Sequence, residues 1–189
     1  MPKEQPVLKG GTALLDANEV LRRLDIKDSY VVADLGCGGG GHFVAPTAMM
    51  VGKNGKVYAV DIQKRVLQAL KSQFELQKLT NIELVWSNLE LYGAAKIPDA
   101  SCDVAMIVNV LFQNTKHDII LQEAKRFLRS GGRLAILDWK EGSQPFGPPK
   151  ELRIAKQKIR EIAYEVGGLF LIDEFDAGRY HYVLVFRKD

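Results

Sequence analysis

An apolar segment, Tyr30-Val-Val-Ala-Asp34, runs directly into the glycine-rich stretch Gly36-Cys-Gly-Gly-Gly-Gly41. Few folds accommodate that junction. Residues without Cβ let the backbone turn tightly and let a ligand lie against it. Gly36, Gly38 and Gly41 fit G-x-G-x-x-G after a strand and before a helix, the context of a dinucleotide-type fold. The alternative is a glycine-rich strand-to-helix turn that holds no ligand.

The remaining pattern extends this reading. Asp16 with Glu19 forms a capping-box pair, and Val20, Leu21 and Leu24 give residues 16–25 one apolar helical face. A helix is expected over His42–Met50, with Pro46 early in it or kinking it. Lys56–Asp61 reads as a second strand. Val66, Leu67, Leu70 and Phe74 then share one face of a helix. Ile82–Trp86 is a third strand and Asp103–Val110 a nearly all-apolar fourth, as a strand covered on both faces should be. His117–Arg129 carries Ile120, Leu121, Ala124 and Leu128 as a helix stopped by Gly131-Gly132. Leu134–Trp139 is strand five. Pro149 opens a last helix through Val166, with Leu152, Ala155, Ile159, Ile162 and Ala163 inward. Leu169–Phe175 and Tyr180–Arg187 form a hairpin around Asp176–Arg179. The alternation predicts an α/β fold: a doubly wound, Rossmann-like, mostly parallel sheet of seven strands, with helices on both faces and a C-terminal antiparallel hairpin. Ligands of such sheets sit at the carboxyl ends of the strands.

With 189 residues, 47% hydrophobic and 26% charged, the chain reads as one domain over 1–189, with 1–15 a loose lead-in. The formal charge of +3 is too small to announce a nucleic-acid binder. Cys37 and Cys102 lie far apart and form neither a metal-ligand spacing nor a disulfide framework, so no metal is expected and a reducing, cytoplasmic setting is. No apolar run is long enough for a membrane span, and Met-Pro-Lys-Glu-Gln-Pro at the N-terminus lacks the apolar stretch of a signal peptide.

Asp61 closes the second strand, roughly 20–25 residues beyond Gly36, where a ribose-binding acid is expected in these folds. A carboxylate there accepts from both vicinal hydroxyls of one ribose; its plainer role is a solvated strand end. Loop and acid together predict an adenosine-bearing ligand. Asp34 narrows the choice. A carboxylate two residues before the first glycine repels a pyrophosphate on the same loop and favours an ammonium or sulfonium; the structural alternative is an aspartate that braces the loop.

Ala33-Asp34-Leu35-Gly36-Cys37-Gly38 resembles the first motif of class I S-adenosylmethionine-dependent methyltransferases. Gly55–Asp61 is similar to their second strand, Asp103–Val110 to their fourth, and Phe127–Leu134 to the passage into the fifth. Ile136–Lys140 followed by Gly147-Pro148-Pro149 resembles small stand-alone prokaryotic members related to the ubiquinone/menaquinone C-methyltransferase-like group. The resemblance implies that S-adenosylmethionine binds and that S-adenosylhomocysteine leaves. It implies that Gly36, Cys37 and Gly38 pass their backbone by the methionyl part. Asp34 would hold the ammonium end, Asp61 the ribose, and Ile62 the adenine. Ser87-Asn88 stands where many members carry an acid on the adenine amino group. Asn109 ends the fourth strand, where main-chain groups meet the methionyl part and the acceptor approaches, unless it is a plain turn residue.

Methyl transfer from a sulfonium is an in-line displacement governed by alignment and exclusion of water. A dedicated base is needed only for a nucleophile that must first lose a proton, and no catalytic residue is identified here. The segment Asn109-Val-Leu-Phe112 lacks the paired prolines of an amino methyltransferase. Cys102 lies at the wrong end of its strand for a thiolate nucleophile. His42, His117 and His181 are scattered, with His117 read as a surface helix start. Lys150, Arg153, Lys156, Lys158 and Arg160 give the last helix a basic face, read as solvated. Glu141–Pro149 is either a lid with Phe146 as its apolar contact or a connector, and Trp139 and Tyr92 are candidate pocket walls. A small-molecule acceptor is expected. Rival readings are an RNA or protein acceptor, a protein that binds the cofactor without turnover, and a nicotinamide oxidoreductase, which Asp34 disfavours. Oligomeric state is open.

Overall fold

The computed structural model describes residues 15–142 and 145–189. The expected lead-in therefore lies, except for Leu15, outside the described residues. Seven strands form one sheet: β1 Val31–Leu35, β2 Lys56–Asp61, β3 Ile82–Trp86, β4 Cys102–Val108, β5 Leu128–Trp139, β6 Leu169–Ala177 and β7 His181–Lys188. Their order is β3-β2-β1-β4-β5-β7-β6. The first five strands run parallel, and β7 pairs antiparallel with both β5 and β6. The order turns back at β1, where β2 lies on one side and β4 on the other, so a crevice opens at their carboxyl ends.

Among the described residues five α-helices cover the sheet: α1 Ala17–Arg23, α2 Val44–Val51, α3 Lys64–Leu76, α4 His117–Phe127 and α5 Lys156–Val166. Alternation along each strand sorts side chains to the two faces. On one face Val32, Val57, Val104 and Met106 pack with Leu21 of α1, Val44 of α2 and Phe74 of α3. On the other, Leu35, Ile107, Ile136 and Leu184 pack with Ile120 of α4 and Ile159 of α5. Asp16 caps α1 by accepting the Glu19 N–H at 3.1 Å. Pro46 occupies the third position of α2, where its missing N–H costs no helical bond.

Some boundaries differ from those read in the sequence. α5 begins at Lys156, not Pro149, because Arg153 and Ala155 are extended; Lys150–Leu152 is a separate 3-10 turn. Leu152 therefore lies outside the helix and is 49% exposed, and Ala155 is the N-cap residue. α4 ends at Phe127, and Leu128, though buried, already belongs to β5. Gly131 and Gly132 do not end the helix. They lie inside β5, where its register against β4 shifts between Cys102 and Val104. β4 stops at Val108, two residues early, because Asn109 turns to φ +54°.

One buried ion pair organises the long connection between β3 and β4. Glu123 on α4 is fully buried and accepts the N–H groups of Gly93 and Ala95. Arg126 bonds both its carboxylate oxygens and donates to the carbonyls of Ala95 and Ile97. Removing Glu123 unpairs the Gly93 and Ala95 N–H groups and part of the Arg126 guanidinium, which keeps Asp99 and two carbonyls, so Glu123→Ala should destabilise the fold by about 3 kcal/mol. Urea unfolding measures this, and a loss below about 1 kcal/mol contradicts the assignment.

Candidate functional site

The glycine loop is held to β2 from its first residue. The N–H groups of Gly36 and Cys37 both donate to the Val60 carbonyl, at 2.8 and 2.9 Å. Gly36 has φ +83°, and a Cβ there would lie 2.4 Å from Cγ2 of Val110. Only glycine fits, for conformation and for space. A Cβ on Gly41 would press on Phe74 and Leu70 of α3, whereas Gly38 faces open space. The loop thus packs tightly at both ends and leaves its middle open to a ligand.

Asp61, nearly buried, bridges two elements. Oδ2 accepts the Gly38 N–H at 3.1 Å and Oδ1 the Gln63 N–H at 2.8 Å, ahead of α3. A carboxylate has roughly four lone-pair sites, so two remain for ribose hydroxyls. Asp34, 2% exposed, shares the face of Val32 and has Oδ1 shielded from solvent without a hydrogen-bond partner. Burial, with the Asp61 charge, pushes its carboxyl up to about 7. Burial and the same two carboxylates raise the Cys37 thiol far above its ordinary value, which agrees with a structural rather than reactive cysteine. Cys102 is buried at the amino end of β4, its thiol pushed up to about 11 by burial.

Ile62 is 56% exposed, and its carbonyl accepts the indole N–H of Trp86 at 2.8 Å. Lys64 lies 4.3 Å over the Trp86 ring. Trp86 was read only as the end of β3; its neighbours Ser87 and Asn88 were the signal that it borders the crevice. Ser87 is buried with its Oγ unpartnered. Asn88 Oδ1 accepts the Glu90 N–H at 2.9 Å, which leaves one oxygen lone pair and the amide N–H groups for a base.

Asn109 follows β4 beside the glycine loop. Its N–H donates to Leu137 O at 2.8 Å, and both side-chain amide atoms are shielded without a partner. The succeeding 3-10 turn, Leu111–Gln113, is braced on several sides. His117 Nε2 lies 3.0 Å from Leu111 O and 2.8 Å from Asn114 O, so this histidine caps the turn instead of standing at the surface. Glu90 accepts the Thr115 and Lys116 N–H groups.

Beyond β5 the chain is clamped. Arg153 donates to the carbonyls of Lys140, Gly142, Phe146 and Pro148. Gly147 lies so near Trp139 that a Cβ would come within 2.5 Å of its ring. Trp139, 2% exposed, is thus covered and offers no open wall. Phe146, by contrast, is exposed and meets Tyr180 edge to face at 5.7 Å. Tyr92 lines a cavity with Lys125 and Lys188 at the amino end of the sheet, away from the crevice. His181, fully buried, stacks on Trp139 at 4.1 Å with neither ring nitrogen bonded, and burial, with Lys140 and Arg153, lowers it to about 4. A cavity of about 300 Å³ lies nearby, lined by Lys140, Glu141, Lys156, Asp176 and Tyr182. Among the described residues no cluster of side chains could hold a metal ion.

The donor set fits S-adenosylmethionine. A shielded, unpartnered carboxylate oxygen on Asp34 suits a cationic group, free lone pairs on Asp61 suit a diol, and the space above Gly38 admits a ligand.

Comparison with known proteins agrees. Residues 26–177 match the family described as "Methyltransferase domain". The chain is similar to the ubiquinone/menaquinone biosynthesis C-methyltransferase of Hahella chejuensis, at 36% identity over 57% of this chain and 43% of that protein. It is 30% identical to the demethylmenaquinone methyltransferase of Bacillus mycoides over 67% of this chain and 51% of that one. The chain spans about half the length of these curated relatives. Among solved structures, a SAM-dependent methyltransferase from Aquifex aeolicus aligns with a TM-score of 0.85 at 26% identity, covering 93% of this chain and 91% of that one.

Two measurements probe the site. A cation beside Asp34 favours its ionised form, so S-adenosylhomocysteine should bind more tightly as pH rises from 6 to 8, by up to about tenfold per unit below 7. Calorimetry should show a proton released on binding, and Asp34→Asn should flatten the profile. Asn109→Gly keeps the left-handed turn and removes only the amide. It should weaken S-adenosylhomocysteine about tenfold and leave 5′-methylthioadenosine, which lacks the amino-acid end, unchanged; equal losses for both ligands would place Asn109 away from the methionyl group.

Proposed function

Because the chain belongs to the methyltransferase-domain family, we propose that it binds S-adenosylmethionine along the carboxyl edge of β1, β2 and β4 and passes the methyl group to a small-molecule acceptor. The carrying observation is the joint placement of the unpartnered Asp34 oxygen and the half-used Asp61 carboxylate around a loop already bonded to β2. When bound, the cofactor supplies an electrophilic methyl on a sulfonium. Asp34 holds the ammonium end, Asp61 orients the ribose, and the Gly36–Gly38 backbone lies beside the methionyl part. Asn109, at the junction with β5, borders the space from which the acceptor must approach in line. Catalysis then rests on alignment and on keeping water from the methyl.

A small acceptor is favoured over nucleic acid because the basic residues of α5 do not form a free cationic face. Lys156 and Arg160 pair with Glu174, and Lys158 with Glu161. The names of the curated relatives make an aromatic quinol the first acceptor class to try. We further take residues 1–189 as one catalytic unit in a reducing cytoplasm, in keeping with two free cysteines and no described helix long and apolar enough to cross a membrane.

S-adenosylmethionine at 100 times its dissociation constant should stabilise the protein by about 2.7 kcal/mol, seen as a thermal shift. Asp61→Ala should remove most of that shift, and NAD should produce none. Stabilisation by NAD with no response to S-adenosylmethionine would falsify the proposal. Transfer of label from methyl-labelled cofactor to 1,4-dihydroxynaphthalene tests the acceptor class.

A further inference from the structure

Asp138 is fully buried near the end of β5, on the face covered by α4 and α5, opposite Tyr182 of β7. The cofactor crevice as described makes no use of it. Its Oδ1 accepts the Trp139 N–H at 2.8 Å, and Oδ2 is shielded without a close partner. The N–H groups of Leu111 and Phe112, the first two residues of the turn after Asn109, face the same carboxylate. A helical turn leaves its first N–H groups unpaired, and here a buried anion from the neighbouring strand stands before them. No ion pair reaches Asp138 among the described residues. Tyr182, the titratable group opposite it, commits its hydroxyl to Ile154 O at 2.8 Å. Backbone N–H groups, not a side-chain cation, therefore face this carboxyl, which burial pushes up to about 7.

Consecutive residues of β5 thus grip both sides of Asn109. Leu137 O takes the Asn109 N–H at 2.8 Å, and Asp138 faces the turn that follows. Between them Asn109 is held at φ +54°, a conformation unfavourable for a residue with a Cβ. Val110 in turn fills the space above Gly36, so a shift of this turn reaches the glycine loop directly.

We infer that Asp138 is a positioning residue for the cofactor: it fixes the Asn109–Val110 turn against the glycine loop from the end of the neighbouring strand β5. The inference rests on Gly36 and Asn109 bordering the cofactor, as proposed above. Asp138→Asn keeps the shape but turns an N–H₂ group toward N–H donors. It should weaken S-adenosylhomocysteine binding about tenfold and speed amide exchange at Leu111 and Phe112. Leu134→Ala, a core truncation in the middle of the same strand, supplies the comparison at a similar loss of Tm; it should leave both readouts unchanged. Unchanged affinity and exchange in Asp138→Asn, or equal affinity losses in both variants, overturn the inference. Asp61→Ala separates the two levels: if it binds S-adenosylhomocysteine normally, the placement of the cofactor itself fails. If it loses binding while Asp138→Asn does not, only the role of Asp138 fails.

Discussion

Two backbone N–H groups from separate elements meet on the Asp61 carboxylate, one from the glycine loop and one from the start of α3. Together with the Val60 carbonyl, which accepts from Gly36 and Cys37, this means that the last two residues of β2 hold three N–H groups of the loop. Glycine-rich backbone loses more freedom on folding than any other, and charge-assisted bonds offset that cost better than neutral ones. The same carboxylate acts at a distance as well. Its charge adds to burial in raising Asp34, so shape and electrostatics of the crevice depend on one side chain.

The β5 side of the crevice is built differently. Arg153 has five N–H donors in a rigid fork, and it spends four on carbonyls spread from Lys140 to Pro148. Opening the connection after β5 would require breaking those bonds and lifting Gly147 from Trp139. The described residues of Glu141–Pro149 are thus fastened in a way that suits either a connector or a lid resting closed. Its exposed aromatic, Phe146, leans on Tyr180 at the start of the final strand.

What could be read from the sequence was local in origin. The glycines, Asp34 and Asp61 declare themselves because their spacing follows from one turn between one strand and one helix. The buried faces of α3 and α4 declare themselves through a period of 3.6 residues. Leu152 misled because it continues the apolar spacing of α5, while Arg153, just after it, is drawn out of the helix by its carbonyl partners. Trp139 and Tyr92 misled for another reason: whether an aromatic lines a crevice depends on what crosses over it and on which edge of the sheet it meets. Asp138 and His117 acquire their roles only when β5 and α4 are brought to the turn after β4. No pattern within either element reports that.

The buried polar atoms without partners sharpen what the crevice can and cannot do. Native folds pair nearly all such atoms, yet the unpaired ones of Asp34, Ser87, Asn109, Asp138 and His181 all belong to residues at or near the carboxyl edge of the sheet; Thr47 and Arg160 lie elsewhere. Their character changes across that edge. Two carboxylates stand on the β1–β2 side, whereas the β5–β7 side carries one buried carboxyl, Asp138, and a neutral imidazole near Lys140 and Arg153. Methyl transfer consumes the positive charge of a sulfonium, so nearby carboxylates stabilise the reactant at least as much as the transition state. Interactions of that kind bind without accelerating. In the proposed reaction Asp34 and Asp61 would therefore serve to hold the cofactor. The rate enhancement of that proposed reaction would then rest on how firmly the Asn109 turn and the segment after β5 keep an acceptor in line with the methyl.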